Sequence, residues 1–312
     1  MKNTTIAGGV WPTMITPYKD NKKIDYAGLE KIIEWYIQKG VQGLFAVCQS
    51  SEMFCLSLEE RTELARFILK TAAGRIPVIA SGHISESIKD QVYELEAMAD
   101  TGVQAVVLVS NRLAGMDESD DVWKRNAETI LNKVPVPLGI YECPYPCKRL
   151  VAPQLLKWCA ETEHFLFLKD TCCDLNQIAK KLEAVRGTGL QIYNANAATL
   201  LNSLQMGAAG YCGVMANFHP DFYVWLCRNW SKQPDKAVRI QNVLGLASAI
   251  EYQYYPVNAK YHMRLEGINI STESRVKPGD GMTLSKKMEV EQLRNMINEY
   301  RELIGCTLRG KC

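Results

Sequence analysis

The sequence alternates short apolar runs with amphipathic stretches, and this alternation constrains the fold more than any other feature. Most of these runs have apolar residues at consecutive positions and not at alternate ones, which is typical of parallel strands covered on both faces. Helical stretches separate them, and such βα repetition builds a parallel sheet. The predicted strands are 9–16, 43–47, 77–81, 105–109, 137–141, 165–169, 190–193 and 210–214.

The helical stretches carry the end signals that helices need. Ser57 and Glu60 have the spacing of a capping box, and Gly40, Gly102 and Gly207 follow helical stretches where a left-handed residue is favoured. Eight βα repeats predict an α/β fold of the closed (β/α)8 type, the TIM barrel. An open doubly wound sheet would carry a glycine-rich phosphate loop after its first strand, and none follows Thr16.

The strand signal stops after residue 232. Three further helical stretches are predicted at roughly 234–253, 256–267 and 285–304. We therefore predict a barrel over residues 1–232 and a C-terminal helical region over residues 233–312 that packs on it.

Charge and hydropathy exclude several classes of protein. The 36 basic and 34 acidic residues give a net charge of +2 and are spread along the chain, so a nucleic-acid partner is not expected. No segment approaches the roughly 20 apolar residues that span a bilayer, and the first residues lack the apolar core of a signal peptide. We expect a soluble, cytoplasmic protein without a membrane partner.

Eleven cysteines in a long chain without an export signal predict reduced thiols. Zinc binding by Cys172 and Cys173, or by Cys143 and Cys147, is an alternative. Structural zinc sites usually show paired C-x2-C spacings or nearby histidines, and the four histidines are scattered. We expect no metal.

Reactive groups of such a barrel come from the C-terminal ends of its strands, because the βα loops there form the pocket. Lys169 ends the sixth predicted strand and Tyr141 ends the fifth, so both would project into one mouth. The segment CQSSE (48–52) follows the second strand and offers N–H groups and hydroxyls to an anion.

These parts suit one chemistry. Burial favours the neutral form of an amine, which can then attack a carbonyl carbon to form a Schiff base. A nearby phenol can move protons, and a nest of N–H groups can hold the carboxylate of a 2-oxo acid. Taken singly, a strand-end lysine is usually a surface charge and a strand-end tyrosine usually packs. Their joint placement favours a site.

Five segments carry a resemblance to a known family. GVWPTMITP resembles its opening strand, CQSSE its G-[ST]-T-G-E segment, GIYECP its Y-N-x-P strand, FLFLKD its Schiff-base lysine strand and GAAGYCGVMANFHP its eighth strand. The family is that of dihydrodipicolinate synthase and N-acetylneuraminate lyase, the pyruvate-type class I aldolases. The resemblance covers nearly the whole chain, and the order and spacing of the segments make it specific.

The resemblance implies an imine on Lys169 and a proton relay through Tyr141. It implies pyruvate and an aldehyde as small-molecule partners, no cofactor besides the covalent imine, and a homotetramer. Cys212 falls where the family uses a backbone carbonyl near the substrate. The substrate-binding residues that it implies are Gln49, Ser50, Ser51, Cys212 and Gly213.

The chain departs from both named enzymes. It reads VSNRLAG (109–115) where the lysine-biosynthetic synthases carry a tyrosine pair, and Pro146 where they carry a substrate-binding arginine. Ala197 and Ala198 stand where sialate lyases carry acids that hold sugar hydroxyls. We therefore expect a divergent member with another second substrate.

Other residues are expected near the pocket. Glu142, in place of the family's asparagine, would reshape the pocket wall together with Cys143, Tyr145 and Cys147. His83 and Arg112 follow strands three and four; each is a candidate substrate contact, although a structural role is the commoner one for such residues.

Three functions fit the sequence. The leading hypothesis is a lyase that makes or breaks a carbon–carbon bond through an imine on Lys169. A 2-oxo-3-deoxy sugar acid dehydratase would use the same imine to expel water. A catalytically silent barrel that binds 2-oxo acids is the third, and the retention of both Lys169 and Tyr141 argues against it.

Overall fold

The structure, a computed structural model, describes residues 6–305. Eight parallel strands form one sheet in the order β1-β8-β7-β6-β5-β4-β3-β2. The strands are β1 Gly9–Val10, β2 Leu44–Phe45, β3 Val78–Ala80, β4 Ala105–Val109, β5 Leu138–Tyr141, β6 Phe165–Asp170, β7 Gln191–Asn194 and β8 Gly210–Tyr211. The predicted α/β barrel fold is confirmed.

Backbone hydrogen bonds between β2 and the chain after β1 close the barrel. The Gln42 N–H donates to the Val10 carbonyl at 2.9 Å, the Phe45 N–H to the Pro12 carbonyl at 3.0 Å, and the Met14 N–H to the Phe45 carbonyl at 3.0 Å. The chain beyond β1 therefore pairs with β2, as a closed barrel requires.

The hydrogen-bond register of β5, β6 and β7 places three residues side by side across the sheet. Tyr141 on β5 is paired with Lys169 on β6, and Lys169 is paired with Tyr193 on β7. Inside the barrel, Gly139 makes room for the Phe167 ring, since a Cβ at Gly139 would lie 2.2 Å from that ring. The packed interior thus ends just below the level of Lys169.

Helices surround the strands. They are α1 Tyr26–Gln38, α2 Leu58–Ala72, α3 Ile88–Ala99, α4 Ser110–Leu113, α5 Asp120–Leu131, α6 Pro153–Glu161, α7 Leu175–Ala184, α8 Leu200–Gln205, α9 Pro220–Asn229, α10 Pro234–Ala247, α11 Glu251–Tyr254, α12 Val257–Leu265 and α13 Leu284–Tyr300. The short α4 and the 3-10 turns at Gln49–Ser51 and Met53–Cys55 were not predicted.

The predicted helix ends are confirmed. The Ser57 side chain accepts from the Glu60 N–H at the start of α2, and the Glu60 carboxylate accepts from the Ser57 N–H. The φ angles of Gly40, Gly102 and Gly207 are 78°, 89° and 107°, respectively. Only glycine adopts such angles without strain.

The last four helices follow α9. Ile240 and Leu244 of α10 belong to the same buried core as the barrel, and Val257, Met282 and Val290 form a smaller core of their own. The boundary at residue 232 stays a prediction, and residues 306–312 of the predicted helical region lie outside the described residues. No helix within residues 6–305 combines the length and the apolar character needed to cross a membrane.

Candidate active site

The Lys169 side chain lies inside the mouth of the barrel. It is 3% exposed, and its Nζ lies 4.1 Å from the centre of the Tyr141 ring and 5.6 Å from that of Phe45. No carboxylate within residues 6–305 lies within 4.0 Å of this nitrogen. The amine is therefore held against aromatic faces and not neutralised by an ion pair.

Tyr141 shares this cavity with Lys169. Its side chain is buried, and its hydroxyl donates a long hydrogen bond to Gln49 Oε1 at 3.4 Å. Burial, and after it the neighbouring thiols, raises the pKa of Tyr141 well above its usual value. The phenol is thus a neutral proton donor near neutral pH.

Three buried thiols surround the same space. Cys48 follows β2, Cys143 follows β5 and Cys212 follows β8, and the charge of Lys169 acts on all three. Burial nevertheless raises the pKa of each thiol, that of Cys212 to about 12. The thiols are therefore neutral, and they make the wall around the amine weakly polar.

The segment 48–52 contains three predicted binding residues, Gln49, Ser50 and Ser51, and each of them has different neighbours. Gln49 lies beside Tyr141 and Cys143, whose Sγ is 3.4 Å from Gln49 Oε1. Ser50 donates from its hydroxyl to Thr13 Oγ1 at 3.1 Å. The N–H groups of Gln49 and Ser50 begin a 3-10 turn, where helical residues lack an acceptor within the helix.

Ser51 does not present its hydroxyl to the cavity. The Ser51 hydroxyl donates to the Cys48 carbonyl at 2.7 Å and accepts from the Cys48 N–H at 2.8 Å. Both of its hydrogen-bonding functions therefore close the local turn, and substrate binding by Ser51 stays a prediction.

Glu52 fixes the C-terminal end of the segment 48–52 through buried contacts. It has a left-handed φ of 65° and is 1% exposed. Lys260 of α12 donates to its Oε1 at 2.7 Å, and the Ser274 hydroxyl donates to Oε2 at 3.0 Å. The C-terminal region thus fixes the end of the segment that carries Gln49 and Ser50.

Cys212 and Gly213 follow β8. The Cys212 N–H donates to the Asn194 carbonyl at 2.9 Å, and the charge of Lys169 acts on the Cys212 thiol. A Cβ at Gly213 would lie 2.3 Å from the Tyr211 hydroxyl and 2.4 Å from the Ala195 carbonyl oxygen. Gly213 therefore allows close packing behind Cys212.

Glu142 lies away from the cavity, contrary to the expectation that it forms the pocket wall. Its carboxylate pairs with Lys181 of α7 and accepts from the N–H groups of Val151 at 2.8 Å and Thr171 at 2.9 Å. Asp170 pairs with the same lysine. Burial and the adjacent Asp170 raise the pKa of Glu142, and Lys181 opposes both effects.

His83 has a structural role. It is fully buried, its Nε2 accepts from the Val109 N–H, and its Nδ1 lies 3.0 Å from Gln91 Oε1. Burial lowers the pKa of His83 to about 4, so the ring is neutral. Both nitrogens are used within the fold, and neither is left for a substrate.

Asn111 and Arg112 lie in α4, directly after β4. The Asn111 amide donates to the carbonyls of Cys143 at 2.9 Å and Tyr145 at 3.0 Å. The Arg112 guanidinium lies 5.5 Å from the centre of the Phe54 ring. Asn111 thus holds the loop after β5, and Arg112 packs at the rim of the mouth.

Sequence reasoning missed three residues near this site. Thr13 lies beyond β1, and Glu251 and Tyr255 come from the C-terminal helices. The charge of Lys169 acts on Glu251, whose pKa is raised by burial. The available signals were a hydroxyl inside the first apolar run and the aromatic cluster YQYYP (252–256), and neither points to a site by itself.

The nine cysteines that the structure describes are free thiols, and Cys306 and Cys312 lie outside the described residues. Across residues 6–305 no three His, Cys, Asp or Glu side chains are close enough together to hold a metal ion. Neither cysteine pair considered for zinc gains additional ligands from the fold.

Fold and site together define an enzyme of the carbon–carbon lyase type built on a (β/α)8 barrel. The sequence profile of the Dihydrodipicolinate synthetase family matches residues 7–297. The chain therefore belongs to this family.

Relatives with established names are distant in sequence but similar in length. The 4-hydroxy-tetrahydrodipicolinate synthase of Methanococcus maripaludis is 27% identical over 93% of this chain and 98% of the relative. The synthase of the same name from Clostridium perfringens is 24% identical over 82% of this chain and 87% of the relative.

Solved structures share the fold. Dihydrodipicolinate synthase DapA-2 of Bacillus anthracis aligns with a TM-score of 0.85 at 19% identity, covering 94% of this chain and 99% of that chain. YagE of E. coli, solved in complex with pyruvate, aligns with a TM-score of 0.83 at 22% identity, covering 96% of this chain and 99% of that chain.

Proposed function

We propose that this chain is a Schiff-base-forming lyase that acts on pyruvate or a related 2-oxo acid and makes or breaks a carbon–carbon bond. The observation that carries the proposal is the buried Nζ of Lys169, 4.1 Å from the ring centre of Tyr141 in the mouth of the barrel. Membership in a family of synthases and the pyruvate complex of YagE support it.

The geometry suits a stepwise reaction. Once its proton has been removed, the Lys169 amine attacks the C2 carbonyl carbon, and the resulting oxygen takes a proton from the Tyr141 hydroxyl. The nitrogen then returns a proton to the Tyr141 phenolate, and the phenol passes it to the C2 hydroxyl. Water leaves as the nitrogen lone pair forms the protonated imine, and the phenolate is left to accept the C3 proton. Loss of a proton from C3 gives an enamine, which attacks the carbonyl of an aldehyde; retro-aldol cleavage is the same sequence reversed.

We infer that the partners are a 2-oxo acid and an aldehyde, and that the covalent imine replaces a dedicated cofactor. A homotetramer is the expected assembly from the family resemblance, although one similar solved structure is a monomeric dihydrodipicolinate synthase variant. Free thiols at nine positions suit a reducing cytoplasm. Sedimentation velocity distinguishes a tetramer from a monomer.

Reductive trapping tests the proposal. Borohydride added with pyruvate should place a stable adduct on the peptide that carries Lys169, because reduction makes the imine permanent. Lys169→Met should abolish the adduct. Lys148→Met is the matched control, since exposed Lys148 lies near the end of β6 with its Nζ 2.8 Å from the Thr171 carbonyl. An adduct on another lysine, or no adduct, contradicts the proposal.

Product analysis separates the reactions that share this imine. A panel of 2-oxo-3-deoxy sugar acids should release pyruvate and an aldehyde if the enzyme is an aldolase. A dehydratase would release water and retain the carbon chain, which NMR of the products detects. A catalytically silent barrel would trap pyruvate without converting any member of the panel.

A further inference from the structure

Three hydroxyl groups converge where the chain beyond β1, the turn after β2 and the C-terminal helices meet. They belong to Thr13, Ser50 and Tyr255. The Ser50 hydroxyl donates to Thr13 Oγ1 at 3.1 Å. Burial raises the pKa of Tyr255, and the two aliphatic hydroxyls, which lie close to its oxygen, lower it. The three oxygens therefore form one cluster.

The protons of this cluster are not all used by the protein. Ser50 gives its proton to Thr13, and the Tyr255 oxygen accepts from Asn217 Nδ2 at 3.0 Å. Within residues 6–305 no carbonyl or carboxylate accepts the hydroxyl proton of Thr13 or of Tyr255. Converging O–H groups without an acceptor are complementary to an anion.

The Tyr255 hydroxyl is held in place. Asn217 Nδ2, which donates to it, also donates to the Thr13 carbonyl at 3.0 Å and the Val214 carbonyl at 2.8 Å. The Tyr36 hydroxyl donates to Asn217 Oδ1 and fixes the orientation of the amide. A donor fixed before binding loses little freedom when a ligand arrives.

The cluster lies within reach of a ligand attached to Lys169. Phe45 connects the two, because it forms a β-bridge with Thr13 and its ring centre lies 5.6 Å from Lys169 Nζ. Tyr255 in turn interacts with Cys48 and with Glu251, on which the charge of Lys169 also acts. A three-carbon 2-oxo acid is of the size that spans such neighbouring groups.

The geometry points to Thr13 and Tyr255 as carboxylate-binding residues: their hydroxyl groups donate hydrogen bonds to the carboxylate of the 2-oxo acid, and Ser50 orients Thr13 by donating to its oxygen. This inference rests on the proposed function, since it assumes that the ketone carbon of the same molecule meets Lys169. It makes the C-terminal helical region part of the substrate site, through Tyr255.

Binding of L-lactate tests this inference separately from imine formation, because a 2-hydroxy acid has the carboxylate but no ketone. NMR titration should show lactate binding to the wild type and binding about tenfold weaker or worse to Tyr255→Phe, the effect of one lost hydrogen bond to a charged group. Thr13→Val, which keeps the shape of the side chain, should weaken binding in the same direction.

Tyr254→Phe is the matched control, since the Tyr254 hydroxyl donates to the Pro278 carbonyl at 3.0 Å and its loss should leave lactate binding unchanged. Equal lactate affinity in the wild type, Tyr255→Phe and Thr13→Val overturns the inference, as does a wild type that binds no lactate. Thr13→Val decides the matter if Tyr255→Phe does not fold. Borohydride trapping on Lys169 judges the proposed function independently of these outcomes.

Discussion

Tyr141 and Glu142 are consecutive residues that face opposite sides of the barrel wall. Tyr141 turns inward to Lys169, whereas Glu142 turns outward to Lys181 of α7. Lys169 and Asp170 repeat this division on β6, since Asp170 also pairs with Lys181. Successive residues of a strand alternate between faces, so the placement of Tyr141 inside excluded Glu142 from the pocket wall. The sequence prediction for Glu142 was wrong because it ignored this alternation.

The pairing of Lys169 with Tyr141 was predictable because both end their strands. The contribution of Thr13 and Tyr255 was not. These two residues are far apart along the chain, and the fold brings them together through Asn217, which donates to the Thr13 carbonyl and to the Tyr255 oxygen. A hydroxyl inside an apolar run has no local signature of a binding role.

Tyr141→Phe tests the proton relay. We expect turnover to fall by about 10²- to 10⁴-fold, the usual contribution of a general acid or base, while pyruvate still binds. The fall follows because the variant retains the ring against Lys169 but has no hydroxyl proton to give. Initial rates and borohydride trapping measure the two effects separately.

Tyr93→Phe is the matched control for that variant, because Tyr93 lies on α3 and is 66% exposed. Its turnover should equal that of the wild type. A Tyr141→Phe enzyme with an unchanged rate would remove the phenol from the mechanism.

At the scale of elements, apolar runs located all eight strands, and β4, β5 and β6 lie within one residue of their predicted bounds. The first strand is shorter than predicted. Pro12 has no N–H to donate, so the regular ladder ends at Val10, and the chain beyond it pairs with β2 through a single bridge at Thr13. The short α4 was missed because four residues carry too little periodicity to detect.

His83 joins three elements, and its protonation predicts how acid affects stability. It follows β3, accepts from the N–H of Val109, the last residue of β4, and contacts Gln91 of α3. Glu94 raises its pKa, and Arg112 and Arg61 lower it, but burial is the largest effect and brings the pKa to about 4.

The direction of this pH effect on stability follows from proton uptake by the unfolded chain. An unfolded histidine has a pKa of about 6.5, so between about pH 6.5 and 4 the unfolded chain binds a proton that the folded protein does not. The free energy of unfolding should therefore fall as the pH is lowered through this window, by up to about 3 kcal/mol for His83. Urea unfolding at pH 7 and pH 4.5 measures the loss.

His83→Gln should be less stable than the wild type at pH 7, because the bond to the Val109 N–H is weakened, but it should lose less stability on acidification. The buried His219 and His262 also have lowered pKa values and will still contribute to the acid loss in this variant. Identical losses in wild type and variant would show that His83 does not carry the effect.

For the molecule as a whole, the count of βα repeats predicted a closed barrel. Hydrogen bonds between the chain beyond β1 and β2 close the barrel in the structure. What the sequence did not predict is that the C-terminal helices supply parts of the barrel mouth. Lys260 of α12 holds Glu52, and Tyr255 lies beside Ser50. Such contacts join segments some two hundred residues apart and depend on how the helices fold back.

The buried ion pair of Lys260 and Glu52 joins the C-terminal helical region to the barrel. Its loss should show how strongly these two regions stabilise each other. Both side chains are fully buried, and burial lowers the pKa of Lys260 to about 8 despite the attraction of Glu52. Lys260→Met should lower the free energy of unfolding by about 3–5 kcal/mol, because Glu52 would remain as an uncompensated buried charge. Urea unfolding measures the change, with exposed Lys232→Met as the control that should leave stability unchanged.

A double variant distinguishes loss of charge pairing from loss of packing. Glu52→Gln combined with Lys260→Met removes both charges, so it should be more stable than Lys260→Met alone even though it carries one more substitution. The Michaelis constant for the 2-oxo acid should rise in Lys260→Met and recover in part in the double variant, because Glu52 fixes the end of the segment that carries Ser50. If the two substitutions simply add their costs, the ion pair does not couple the C-terminal helices to the barrel mouth.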